Sequence, residues 1–291
     1  MGSQDIRAKM GRIGFWSFEM RFGDKGEVPE AAAEIEELGY GALWLPGGLE
    51  GGALADVDRL VAATDRIVIA VGILNIYKED PAEIAAWWQA QSEQTQGRVL
   101  LGLGVSHGPV IGADYTKPLA TMSGYLDQLD ALGQPRDSLC IAALGPKMLA
   151  LSRDRSLGSH PYLGPPEHTR AAREVLGPDK LLAPEVGAIL ETDPAKARDI
   201  GRQALATYSR LPNYVNNWLR HGFTREDVDN LSDRLVDRIF AWGDMDRIAA
   251  RVREHLDAGA DHVCVQAIRG ASVPDFPASR AAARALAKGL L

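Results

Sequence analysis

The chain alternates short, almost unbroken apolar runs with stretches of helical period, and it does so eight times. A strand that is apolar at nearly every position must be covered on both faces, which calls for parallel neighbours and helical crossovers. The runs are "GRIGFWSFE" (11 to 19), "ALWLPGG", "RIVIAVGILNIY", "RVLLGLGVS", "SLCIAALG", "SHPYLG", "LLAPEVGAIL" and the final "HVCVQAI". Helices fill the gaps. "PEAAAEIEELGYG" sets Ala32, Ile35 and Leu38 at helical spacing and stops at Gly39, and "PAEIAAWWQAQSEQ" opens with Pro81 at a helix start. Eight strand-then-helix units predict a closed (β/α)8 TIM barrel, an α/β fold, rather than an open doubly wound sheet.

No composition shift or low-complexity tract divides the chain, so residues 1–291 are expected to form a single domain. The one break in rhythm is 211–240, an insertion that lengthens the seventh unit. Its Asn213, Tyr214, Asn217 and Trp218 combine flat apolar surface with amide groups, which suits a substrate lid. The same residues equally suit a helix pair whose Trp218 packs on the barrel.

A net charge of -7 disfavours a polyanion partner, so no nucleic acid is expected. Cys140 and Cys264 each sit inside an apolar run, far from any second cysteine, and read as core residues with no metal site. No apolar stretch reaches membrane-spanning length and no signal-length segment opens the chain, so a soluble cytoplasmic protein is expected.

The chemistry-bearing residues fall at strand ends, where a barrel gathers its active site. "LGLGVSHGP" carries Gly102, Gly104 and Gly108, but a GxGxxG dinucleotide loop would need glycine where His107 stands. What remains is a hydroxyl, Ser106, and an imidazole, His107, placed either to exchange a proton or to serve as a structural hydrogen bonder. "ALGPKML" ends a strand at Gly145 and opens a helix at Pro146, Lys147 and Met148. Such a corner presents outward backbone N–H groups that can hold a phosphate, or it is an ordinary junction. Trp16 and Glu19 close the first strand, with Glu19 either a proton carrier or a surface carboxylate, while "WLPGG" leaves the second strand end without a titratable group.

"GILNIY", "LLGLGVSHGP", "AALGPKML", "HPYL" and "LLAPEVGAILETDP" together resemble the bacterial luciferase-like flavin and deazaflavin oxidoreductases, in particular the branch that uses coenzyme F420. The resemblance spans Arg12 to about Ile268. It implies a non-proline cis peptide at Gly72 and Ile73, forming a bulge behind the cofactor ring, with Asn75 bonding the ring's pyrimidine edge. It also implies that Gly145, Pro146, Lys147 and Met148 hold the cofactor phosphate, with Gly104, Ser106 and His160 on the cofactor side. Trp16, Asn213, Tyr214, Asn217 and Trp218 then face a small organic substrate, and His107 and Glu19 are the candidate catalytic residues. The expected cofactor is coenzyme F420, with FMN the alternative, and the expected reaction is hydride transfer. An FMN-dependent monooxygenase, a non-catalytic deazaflavin-binding barrel and an aldolase with Lys147 as imine former are the competing readings. A homodimer is a possible assembly.

Overall fold

The computed structural model describes residues 6–48, 51–270 and 273–291. Ten strands form one sheet: β1 (Ile13–Trp16), β2 (Ala42–Leu45), β3 (Val68–Asn75), β4 (Val99–Gly104), β5 (Leu139–Ile141), β6 (Gly158–Ser159), β7 (Leu181–Leu182), β8 (Glu185–Ile189), β9 (Ala241–Trp242) and β10 (Val263–Ala267). Every neighbouring pair is parallel, in the order β7-β6-β5-β4-β3-β2-β1-β10-β8-β9. The expected seventh strand is present as β7 and β8, separated by Ala183 and Pro184, because proline has no N–H for the ladder. That single run closes the sheet on itself. Ala183 and Glu185 donate to Ser159 and Pro161 on one side, while Asp261 and Cys264 donate to Leu182 and Pro184 on the other.

Strand alternation sorts the side chains into an outer and an inner layer. Phe15, Leu43, Leu45, Ile69, Val71 and Val265 face outward and pack with the helices in the main core. Trp16, Ala42, Trp44, Val68, Ala70, Leu100, Cys140 and Cys264 form a separate interior cluster. Both cysteines are therefore buried and free, as the sequence pattern implied.

β3 breaks the alternation. Val71 pairs with Leu101 and Leu74 with Leu103, so Gly72 and Ile73 together stand where one residue would, and their peptide bond is cis. The extra residue is a β-bulge, which re-aims the side chain it carries. A Cβ on Gly102 would lie 2.9 Å from Ile73 Cγ2, and one on Gly104 would lie 2.4 Å from Ile73 Cδ1. Ile73 thus occupies the space those two glycines leave, and a Cβ on Gly47 would meet the Ile73 carbonyl oxygen.

Two sequence expectations need correction. The sixth strand, expected over 159–164, is only Gly158–Ser159, because Pro161 cannot donate to the ladder and Leu163 turns to a φ of 52°. The insertion 211–240 folds into helices Pro212–Arg220, Arg225–Asp229 and Asp233–Ile239, but it then returns to the sheet as β9, too short a strand to show alternation in sequence.

Candidate active site

The C-terminal strand ends converge on one mouth, whose floor is the bulge. Along β3 only Gly72 and Ile73 are half-buried, while the six remaining residues are buried. Directly beneath lies His160, whose Nε2 is 2.8 Å from where a Cβ on Gly72 would stand. Its Nδ1 is 2.7 Å from the Ala183 carbonyl, and its ring stacks on Trp44 at 4.0 Å. A carbonyl only accepts, so Nδ1 carries the proton. Burial pushes the imidazole down to about 4, leaving it neutral. His262 is arranged likewise: it accepts from Trp44 Nε1, pairs through Nδ1 with the Gly11 carbonyl, and is pushed down to about 4 by burial. The interior beneath the floor is polar but uncharged.

Two buried donors beside this floor lack partners. Asn75 ends β3 and uses its Oδ1 to accept from the Tyr77 amide, while its Nδ2 is unpartnered. Trp16 ends β1, and its Nε1 is also unpartnered, 3.3 Å from the Gly72 Cβ position. Buried donors normally find acceptors, so both retain bonding capacity that a ligand at the mouth could complete.

His107 is half-buried after β4, at the start of the short helix Gly108–Ile111. Burial lowers its pKa, and a hydrogen bond to the Asn213 side chain opposes the shift. Its Nδ1 is buried without a partner, and its ring lies 5.5 Å from that of Tyr214. The structure thus brings His107, Asn213 and Tyr214 together from separate parts of the chain. Ser106 precedes them with a φ of 54°. Trp218 is wholly buried and donates to the Leu163 carbonyl, and Asn217 is wholly buried beside it. Trp218 thus ties the insertion to the loop after β6, while the Asn217 Nδ2 has no partner.

Gly145 caps the helix Pro146–Arg155, and a Cβ there would meet nothing within 4 Å. Pro146 and Lys147 are exposed and Met148 is half-buried. An exposed lysine lacks the apolar setting that activates an imine-forming amine. Gly104, by contrast, is buried beneath Ile73 and serves packing.

Glu19 is not the surface carboxylate expected as one reading. It is buried, paired with Arg269, and accepts from Ser17 at 2.8 Å and from the Asp275 amide at 3.3 Å. Both of its oxygens are thus engaged by other residues of the chain. Sequence reasoning missed Glu185, a lone charge inside the apolar run "LLAPEVGAIL", which was the available signal. Its Oε2 accepts from the Leu163 amide, its Oε1 is unpartnered, and complete burial pushes its pKa up to about 8. Tyr162, Tyr208 and Tyr214 lie within its electrostatic reach, and burial raises all three phenols.

Among the described residues no group of three His, Cys, Asp or Glu could hold a metal ion, and no helix is long and apolar enough to cross a membrane. The chain belongs to the luciferase-like monooxygenase family, whose profile matches residues 16–262. No curated protein matches it in sequence. Among solved structures it is similar to an F420-dependent secondary alcohol dehydrogenase in complex with an F420-acetone adduct (TM-score 0.71, 14% identity, covering 97% of this chain and 99% of that one). The coenzyme F420-dependent tetrahydromethanopterin reductase from Methanopyrus kandleri gives a TM-score of 0.68 at 13% identity, over 96% and 98% of the two chains. The oxygenating constituent of 3,6-diketocamphane monooxygenase from Pseudomonas putida, in complex with FMN, gives 0.66 at 13%, over 97% and 99%. At these identities the likeness concerns the fold.

Glu185 supplies a pH test. The folded state keeps its proton up to about pH 8, whereas an unfolded carboxyl releases it near the ordinary 4.5. Its stabilising share is therefore complete below about pH 4.5 and declines as pH rises to about 8. Glu185→Gln should flatten that decline, seen as a smaller loss of urea-midpoint stability between pH 5.5 and 8.5 than in the parent. Equal pH slopes would reject the assignment.

Proposed function

We propose that the protein is an oxidoreductase that transfers hydride between coenzyme F420 and a small organic substrate. The observation that carries this reading is the half-exposed bulge at Gly72 and Ile73, flanked by the unpartnered donors of Trp16 and Asn75. Gly72, Ile73 and Asn75 fit a flat heteroaromatic ring with an acceptor on its pyrimidine edge, and the Trp16 donor is left to the substrate. Gly72 and Ile73 would back the ring, Asn75 would donate to its pyrimidine edge, and the Gly145 corner with Lys147 would take the phosphate. When bound, the deazaflavin supplies the hydride-accepting or hydride-donating carbon. The protein supplies position, shielding and a proton route.

His107 is the proposed acid or base. Neutral at pH 7 because burial lowers its pKa, it has Nδ1 left to exchange a proton with a substrate hydroxyl or carbonyl. Asn213 holds the imidazole in orientation, and Tyr214 covers one side of it. We place the enzyme in the cytoplasm, acting on small molecules, with a second copy of the chain its only expected macromolecular partner.

Two measurements test this reading. Fluorescence titration should show coenzyme F420 binding that weakens as salt rises, since exposed charges such as Lys147 and Lys78 are screened over about 10 Å at 0.1 M ionic strength. Tight FMN binding with no deazaflavin binding would transfer the protein to the FMN-dependent monooxygenases. Separately, His107→Ala should lower turnover by about 100-fold while leaving cofactor affinity within a few-fold. Unchanged turnover would remove His107 from the chemistry.

A further inference from the structure

A cleft opens beside the floor, between the ends of β1 and β10, enclosing about 90 Å³. That is below the usual range of about 300 to 1,000 Å³ for sites that take a drug-sized ligand, so its closed end suits a small molecule or one end of a larger one. Trp16, Phe18, Tyr162 and Tyr208 line it with aromatic surface. Its polar groups decide what fits. Gln266 accepts from the Tyr162 hydroxyl at 3.0 Å through Oε1, which leaves its amide N–H groups and one further lone pair. Trp16 contributes an N–H that is buried and unpartnered, and an indole nitrogen can only donate.

The charged groups offer less than they first suggest. Arg269 and Glu19 both line the cleft, but they are paired with each other, and Arg269 also donates to the Asp275 carbonyl. Their charges cancel. A carboxylate or ammonium entering here would lose its hydration without gaining a free counter-charge. An uncharged acceptor would lose little and would satisfy the Trp16 donor.

We propose that this cleft is the substrate subsite and that it selects uncharged aromatic carbonyl compounds, with the carbonyl oxygen accepting from Trp16 Nε1–H. Trp16 joins the cleft to the bulge, because its Nε1 lies 3.3 Å from the Gly72 Cβ position. The carbonyl is therefore held beside the floor on which the cofactor ring is proposed to rest. The inference depends on the redox reading for the purpose of the subsite, and not for its binding preference.

The test is calorimetric or saturation-transfer titration of the full chain, with and without cofactor, using acetophenone, benzoate, benzylammonium and ethylbenzene as probes. Acetophenone should bind at least about tenfold tighter than either charged probe. Trp16→Phe should weaken acetophenone about five- to tenfold, the worth of one hydrogen bond, and leave ethylbenzene unchanged. Tyr208→Leu, which thins the aromatic wall without touching the donor, should weaken acetophenone and ethylbenzene alike. Tighter binding of benzoate, an unaltered acetophenone affinity in Trp16→Phe, or no binding of acetophenone would each overturn the proposal. Loss of ketone binding with cofactor binding intact rejects the subsite alone. Loss of cofactor binding with ketone binding intact rejects the redox reading alone.

Discussion

The seating of Ile73 in the space left by Gly102 and Gly104 is the contact on which the mouth depends. A regular β3 would send successive side chains in and out without exception. With Gly72 and Ile73 occupying a single register step, one branched side chain turns onto the neighbouring strand, and only a residue without a Cβ can receive it. Three glycines on two other strands or their ends, Gly47, Gly102 and Gly104, therefore answer one bulge. The bulge in turn is the one part of β3 that is not fully buried, so the same packing that accommodates it also creates the floor.

Below that floor the barrel interior is polar without being charged. His160 and His262 are each held neutral by burial, with one ring nitrogen fixed on a backbone carbonyl. Glu185 retains its proton for the same reason. Charge in that volume would be costly, and the burial that holds these groups neutral outweighs even the Asp261 carboxylate near His262. Charge pairs are kept instead to the rim, as with Glu19 and Arg269. The unsatisfied capacity beside the floor includes the donors Trp16 Nε1 and Asn75 Nδ2, together with the imidazole atom His107 Nδ1. This distribution favours an uncharged acceptor-bearing ligand above an uncharged interior.

The barrel was legible because burial on both faces leaves a continuous apolar signature that eight strands repeat. The glycines of β4 were legible as unusual but not as sockets, since their reason lies on β3, thirty residues earlier in the chain. His107, Asn213 and Tyr214 could each be singled out in sequence, yet their meeting depends on how the insertion packs through Trp218 onto Leu163. That Glu19 is buried and not at the surface was not legible, because its partner, Arg269, is supplied from the far end of the chain. β9 and the break at Pro184 escaped for a simpler reason: two-residue pairings carry no periodicity.

The claim at the centre of this account is that the bulge supports a cofactor ring. Gly104→Ala tests it most directly, because the added methyl would press on the Ile73 side chain from beneath without altering any group that faces the mouth. Affinities for coenzyme F420 and for its deazaflavin ring without the phosphate-bearing tail, measured beside the melting temperature of the variant, separate ring contact from phosphate contact. The account predicts a folded protein whose affinity for both falls by a similar factor of about ten. Unchanged affinities in a folded variant, or a loss confined to the phosphate-bearing coenzyme, would contradict it.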